Sequence, residues 1–318
     1  MNQFQVATSD LHGEMDEVLD RLRLTIGPLH YEFHAHDAWG IDALDRLRTH
    51  VVVQDFTEPT DRLLHLACLD MTRDEFQQIQ RDRLPDRYAK LLPSGWPRHG
   101  WRMHRDETGH MTFQHSDWQH SLFLLGVPPS EQSGPFQLPW AILLQDMIVR
   151  GGAILHGGLI ARSGVGYILT APPGGGKTTC IARLPHEWQV LADDACLIWP
   201  GASNRFHASP LPTWSVLLGR TPIMPSIGRW SIGTNVAVRD VLLLRKSEHD
   251  RCDLMARYDR LLPLYRALCE HPQVLMNRVS CGTSLFDVAR HLARSASVWE
   301  LHVTAAGQFW EHIPTDTN

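Results

Sequence analysis

The chain has no long apolar run, no Lys/Arg-rich run and no Cys-x-x-Cys pair, and each absence narrows what it can do. Its first residues, MNQFQVATSDLHGEMDEVLD, lack a basic head followed by an apolar segment, so neither targeting nor membrane insertion is expected and a cytoplasmic location is. The net charge is only -5 and no basic cluster stands out, which argues against nucleic acid and leaves a peptide or small protein as the natural partner. Six cysteines (Cys68, Cys180, Cys196, Cys252, Cys269, Cys281) are scattered, which reads as reduced thiols rather than a disulfide framework or a zinc site. Histidine, by contrast, is abundant at 19 residues, and it is densest around His34, His36 and Asp37. Alternation on a strand puts His34 and His36 on one face, but two ligands and a neighbour are too few to specify a metal.

At 318 residues the chain is long enough for two domains. Residues 1–135 read as an N-terminal α+β module, with helical patterns at 16–24 and 73–84 and strand-like β-branched or apolar runs at 50–54 and 63–68. A Pro/Gly-rich stretch at 127–139 lacks periodicity and marks the boundary. Residues 136–318 resume with a helical pattern at 140–150. Strands are then expected at 153–155, 158–161, 166–170, 189–192, 195–199, 236–244 and 298–303, with helices at 178–184, 257–269 and 284–295. This mixture predicts an α/β nucleotide-binding core. No internal repeat is visible.

The chemistry concentrates at Ala171-Pro172-Pro173-Gly174-Gly175-Gly176-Lys177-Thr178-Thr179, between an expected strand and an expected helix, which is the context a phosphate-binding loop requires. Three glycines let the backbone turn its N–H groups inward where no side chain blocks a polyphosphate, and the following helix adds its positive end. Lys177 would sit against the β and γ phosphates. The Thr178 hydroxyl occupies the position that holds Mg²⁺, so ATP or GTP and Mg²⁺ are the expected ligands. One departure stands out: the residue that opens the pattern is usually Gly and here is Ala171.

Fifteen residues after Thr178 come Asp193 and Asp194, at the end of the apolar run 189–192. A strand there, beside the loop strand, would carry both carboxylates to the phosphate end of the sheet. One can accept a proton from an attacking hydroxyl while the other holds Mg²⁺, and the order of these roles stays open. His156 precedes the loop strand, and a hairpin of 158–161 with 166–170 would return it toward the nucleotide. Arg229, in the Gly-flanked segment PSIGRWSIG, could swing a guanidinium onto the transferring phosphoryl group.

The order His156, hairpin, loop and Ala192-Asp193-Asp194 resembles the core of the HPr serine kinase/phosphorylase family. That resemblance implies a P-loop core like those of HPr kinase and phosphoenolpyruvate carboxykinase. It further implies that Lys177, Thr178, Asp193 and Asp194 bind Mg-nucleotide and activate a serine hydroxyl, with His156 in the active site. The Gly-rich signature of the bifunctional members is missing. Instead FHASPLPTWS (206–215) and WELHVTAAGQFWEHI (299–313) resemble stand-alone relatives such as the SynChlorMet cassette protein ScmC and the kinases of lasso-peptide clusters. In that setting His207, Pro210, Thr213 and Trp214 are wall candidates for the site. The expected activity is phosphorylation of a serine on a ribosomal peptide precursor or small protein, in a chain that could form homo-oligomers. The alternatives are an ATP-binding scaffold for a peptide-modifying enzyme, or a kinase of a small-metabolite hydroxyl.

Overall fold

A computed structural model describes residues 18–51, 53, 59–68, 99–105, 111–115, 122–126, 140–172, 174–211, 231–270 and 278–315. By its internal contacts the chain divides into two units, one of 1–24, 30–47 and 56–136 and another of 25–29, 48–55 and 137–318. Each carries its own sheet, and strands of both orientations make the fold mixed α/β.

In the first unit, β1 (Asp20–Ile26) and β2 (Leu29–Ala35) precede helix α1 (Ala38–His50), and β3 (Arg62–Cys68), β4 (Trp101–Arg105), β5 (Met111–His115) and β6 (Leu122–Gly126) follow. The sheet order is β1-β2-β3-β6-β5-β4. Strand β3 falls where it was expected and runs parallel to β2 and β6. The helix expected at 16–24 is instead β1 from Asp20 onward, because Leu22, Leu24 and Ile26 alternate with Arg21 and Arg23 and bury on one face. A period of two outweighs the helix propensity of the Leu and Arg residues.

The strand expected at 50–54 is also corrected at its start, since His50 ends α1, whose Ala43, Leu44 and Leu47 are buried at helical spacing. Asp37 caps this helix by accepting the Gly40 N–H at 2.7 Å. His34 pairs with Glu32 at 2.7 Å and His36 with His65 at 2.8 Å, so the histidines here form hydrogen-bonded pairs. No group of three His, Cys, Asp or Glu among the described residues could hold a metal. The helix expected at 73–84 and the boundary at 127–139 lie outside the described residues.

The second unit opens with α2 (Trp140–Val149) and continues through β7 (Ala153–His156), β8 (Gly158–Arg162), β9 (Val165–Thr170) and α3 (Lys177–Ala182). Next come β10 (Gln189–Ala192), β11 (Ala195–Pro200), β12 (Phe206–Pro210), β13 (Val236–Lys246) and β14 (Arg251–Leu254). Helices α4 (Leu261–Cys269) and α5 (Arg278–Ser295), strand β15 (Ser297–Val303) and a 3-10 turn (Phe309–His312) complete it. The main path of the sheet runs β10-β8-β9-β13-β12-β11-β7, with β15 added to β13 and β14 to β15.

Strand β9 is buried nearly end to end because β13 flanks it in parallel and β8 in antiparallel register. The expected β8–β9 hairpin is therefore present. The strand at 189–192 exists but does not run beside the loop strand: β10 pairs with β8, since the hairpin places β8 in the position next to β9. The sequence pattern predicts neither β12 nor β14. Helix α4 begins at Leu261 rather than at 257, and α5 begins at Arg278, before the expected 284.

Ile160, Tyr167, Leu169, Cys180, Ile181 and Phe309 belong to one buried cluster, which clamps α3 onto the sheet from both sides of the chain. Arg183, just past α3, reinforces this by donating to the carbonyls of Thr304, at 2.9 Å, and Gly307. Its guanidinium also lies over the Phe309 ring. Among the described residues no helix is long and apolar enough to cross a membrane.

Candidate functional site

The site is assembled at the C-terminal end of β9. There the chain leaves the sheet at Thr170, turns through 171–176 and enters α3 at Lys177. Gly174 and Gly176 have φ of 72° and 96°, values that side-chain-bearing residues rarely adopt, and Gly176 is the residue from which the helix starts. The third glycine is required for a different reason. A Cβ on Gly175 would lie 2.6 Å from the Cβ of Ala171 and 2.8 Å from the Pro172 carbonyl, so the methyl that departs from the usual pattern is accommodated by the absence of one across the turn. Lys246, the last residue of β13, donates to the Gly174 carbonyl at 3.1 Å and ties down the outer edge of the loop.

Lys177 is buried, and its amine is directed into the protein beside His156. Its Nζ lies 2.9 Å from His156 Nε2 and donates to the Ala171 carbonyl at 3.4 Å. Burial lowers the pKa of this amine, opposed by the charges of Asp194, Glu270 and Asp193. His156 Nε2 lies 3.0 Å from Asp194 Oδ1, so one imidazole nitrogen meets both the lysine and an acid.

Four strands, β7, β9, β10 and β11, bring these groups together. His156 ends β7, and its carbonyl accepts the Thr170 hydroxyl at 2.9 Å, which joins the end of β7 to the end of β9. Asp193 and Asp194 form the turn between β10 and β11, and β11 pairs with β7 so that Ala195 stands opposite His156. Asp193 is 6 % exposed while the Asp194 side chain is 40 % exposed, so the two acids meet the solvent differently.

Lys177, His156, Asp193 and Asp194 thus gather in one place, with Gly174, Gly175 and Gly176 forming the loop above them. Thr178 is half-buried and Thr179 exposed in the first turn of α3. Pro173, Thr213, Trp214 and Arg229 lie outside the described residues. His207 is engaged elsewhere in the sheet, stacked on Trp199 and paired with Asn235, and Pro210 stands opposite Cys196 in β12. The thiols of Cys180, Cys196, Cys252 and Cys269 are free. That of Cys196 is pushed up to about 12 by burial, which suits an inert core residue.

One member of the cluster carries no sequence signal. Glu270 caps the C-terminal end of α4, and its Oε2 lies 3.9 Å from His156 Nδ1. In the sequence it is an acid at the end of an amphipathic stretch, in no motif, and only the packing of α4 near β7 brings it to the site. It also lines a cleft of about 90 Å³ with Thr170, Ala171, Pro172, Arg245 and Arg266, along the edge of the loop.

This donor set fits a magnesium-bound polyphosphate. A glycine turn opens beside a buried amine, and a threonine hydroxyl and two carboxylates offer the oxygen ligands that a hard cation takes. No three acidic, His or Cys side chains among the described residues could hold a metal alone, so a cation here would share its ligands with phosphate oxygens. Residues 137–315, more than half of the chain, match the family model described as SynChlorMet cassette protein ScmC. No curated protein matches the chain.

Proposed function

The chain belongs to the SynChlorMet cassette protein ScmC family, and we propose that it is a nucleotide-dependent kinase that phosphorylates a serine hydroxyl of a peptide or small protein. The observation that carries this reading is the meeting of Lys177 Nζ and Asp194 Oδ1 at His156 Nε2, at 2.9 and 3.0 Å, beneath a glycine loop. A loop that merely turned the chain would need neither a buried lysine nor two acids beside it. We further propose a P-loop core related to HPr kinase, on the order of His156, hairpin, glycine loop and Asp193-Asp194 along the chain, and a ribosomal peptide precursor as the acceptor.

Phosphoryl transfer asks little covalent work of a protein, and most of the rate comes from positioning and charge stabilisation. In this reading ATP or GTP is the phosphoryl donor, and its phosphates lie in the 171–176 turn. Lys177 is held by His156 and Ala171 and offers its remaining N–H to the phosphates. Bound Mg²⁺ would neutralise the phosphate oxygens, with Thr178 and one aspartate as its protein ligands. The other aspartate accepts the proton of the attacking serine hydroxyl. Of the pair, Asp194 is the more exposed and the better placed to meet an incoming hydroxyl, while the buried Asp193 suits the cation.

The test is direct. Purified protein is incubated with labelled ATP, Mg²⁺ and the peptides encoded beside its gene, and the products are read by mass spectrometry. A gain of one phosphate on a serine supports the reading. Nucleotide binding without transfer to any acceptor would reject it in favour of a scaffold.

A further inference from the structure

His156 Nε2 faces two groups that cannot both be its hydrogen-bond partner in one state. A neutral imidazole carries its hydrogen on one nitrogen and a lone pair on the other. Lys177 Nζ, at 2.9 Å, is a donor and needs a lone pair on Nε2, whereas Asp194 Oδ1, at 3.0 Å, is an acceptor and needs a hydrogen there. What decides between them is the opposite side of the ring. Nδ1 is buried and makes no hydrogen bond among the described residues, and the carboxylate that faces it is Glu270 Oε2 at 3.9 Å.

We propose that Glu270 is a positioning residue that keeps the hydrogen of His156 on Nδ1, so that Nε2 accepts a hydrogen bond from Lys177. With the hydrogen on Nδ1, the ring donates toward a carboxylate on one side and accepts from the buried lysine on the other; its Nε2 lone pair then faces Asp194 Oδ1, a cost that falls on a carboxylate 40 % exposed and open to solvent. The opposite tautomer sets the Nδ1 lone pair against the Glu270 carboxylate and takes from Lys177 its acceptor, two unfavourable contacts in a buried place. The separation of 3.9 Å is about 1 Å beyond a normal hydrogen bond. Such contacts commonly shorten when substrate fills a site.

The consequence for the amine is specific. Its hydrogens are directed by His156 Nε2 and the Ala171 carbonyl, which leaves one for the ligand. Glu270 therefore aims Lys177 without touching the ligand, acting through the histidine as outer carboxylates do in other histidine-centred sites. This inference rests on the kinase reading for its purpose, but not for its geometry.

Long-range proton–nitrogen correlation spectra of nitrogen-15-labelled protein report the tautomer, with His156 assigned by comparison with His156→Gln. The expected result is the Nδ1–H tautomer in the wild type, retained in Glu270→Gln, which keeps an acceptor oxygen, and lost in Glu270→Leu. In transfer assays Glu270→Leu should lower kcat about tenfold with nucleotide KM unchanged, and Glu270→Gln should restore most of it. A wild-type ring with its hydrogen on Nε2 would overturn the inference, and so would a Glu270→Leu variant with wild-type spectrum and kcat. If the wild type transfers no phosphate, the kinase reading fails while the spectra still decide the role of Glu270.

Discussion

Ala195 stands opposite His156 in the antiparallel pairing of β11 with β7, and this register sets Asp194 against the imidazole. The two residues are 39 positions apart, with the hairpin, the glycine loop and α3 between them. The acids therefore reach the lysine through β7 and not through a strand beside the loop. A one-residue slip of β11 would turn every side chain of that strand to the opposite face.

Replacing Lys177 by Ala should reduce phosphoryl transfer by about 10²–10³-fold, the range seen when a charge-stabilising donor is removed from an active site. The measurement is initial rate with labelled ATP. Unchanged turnover would remove the lysine from the mechanism.

Asp193→Asn and Asp194→Asn should each leave nucleotide binding detectable by calorimetry while stopping transfer. The amide keeps the shape of the side chain but loses the charge that serves a cation or takes a proton. A protein that only presents a peptide to a partner enzyme would keep partner binding in both variants, so the two measurements together separate catalysis from scaffolding. Chelating the divalent cation should likewise abolish transfer.

Ile181→Ala should destabilise the second unit by about 2–5 kcal/mol, the usual cost of emptying a buried isoleucine site. Ile181 is fully buried in the cluster under the loop helix. Denaturant unfolding measures the loss. Because α3 rests on this side chain, weaker nucleotide binding should accompany it.

The first unit should lose stability in acid. Burial first, then the charges of His36 and His34, push the His65 imidazole down to about 3 from its ordinary 6.5. Between those values the unfolded chain binds a proton that the folded one does not, so stability rises with pH across the window. It is complete above about 6.5 and is lost as pH falls toward about 3. The slope from this one group is at most about 1.4 kcal/mol per pH unit. His65→Asn should flatten the acid limb of the unfolding curve.

Much of the second unit was legible in the residues. The strand patterns around the loop correspond to β7, β8, β9, β10, β11, β13 and β15, because apolar runs bounded by Gly, Pro or Asp report local periodicity directly. The first unit was harder to read. Residues 20–24 carry Leu and Arg that suit a helix as well as a strand, and pairing with β2 decides for the strand. His34 and His36 invited a metal, and their partners Glu32 and His65 became visible only in the fold.

By itself the sequence determined that a glycine turn leads into Lys177 and Thr178, and that two aspartates follow an apolar strand. These are local facts, set by backbone freedom and by side-chain period. Only the tertiary structure decided that His156 lies between Lys177 and Asp194, that β10 docks on β8, and that Glu270 stands behind the ring. Long-range strand register and helix packing depend on the burial of many distant side chains at once, and no short segment of the chain encodes them.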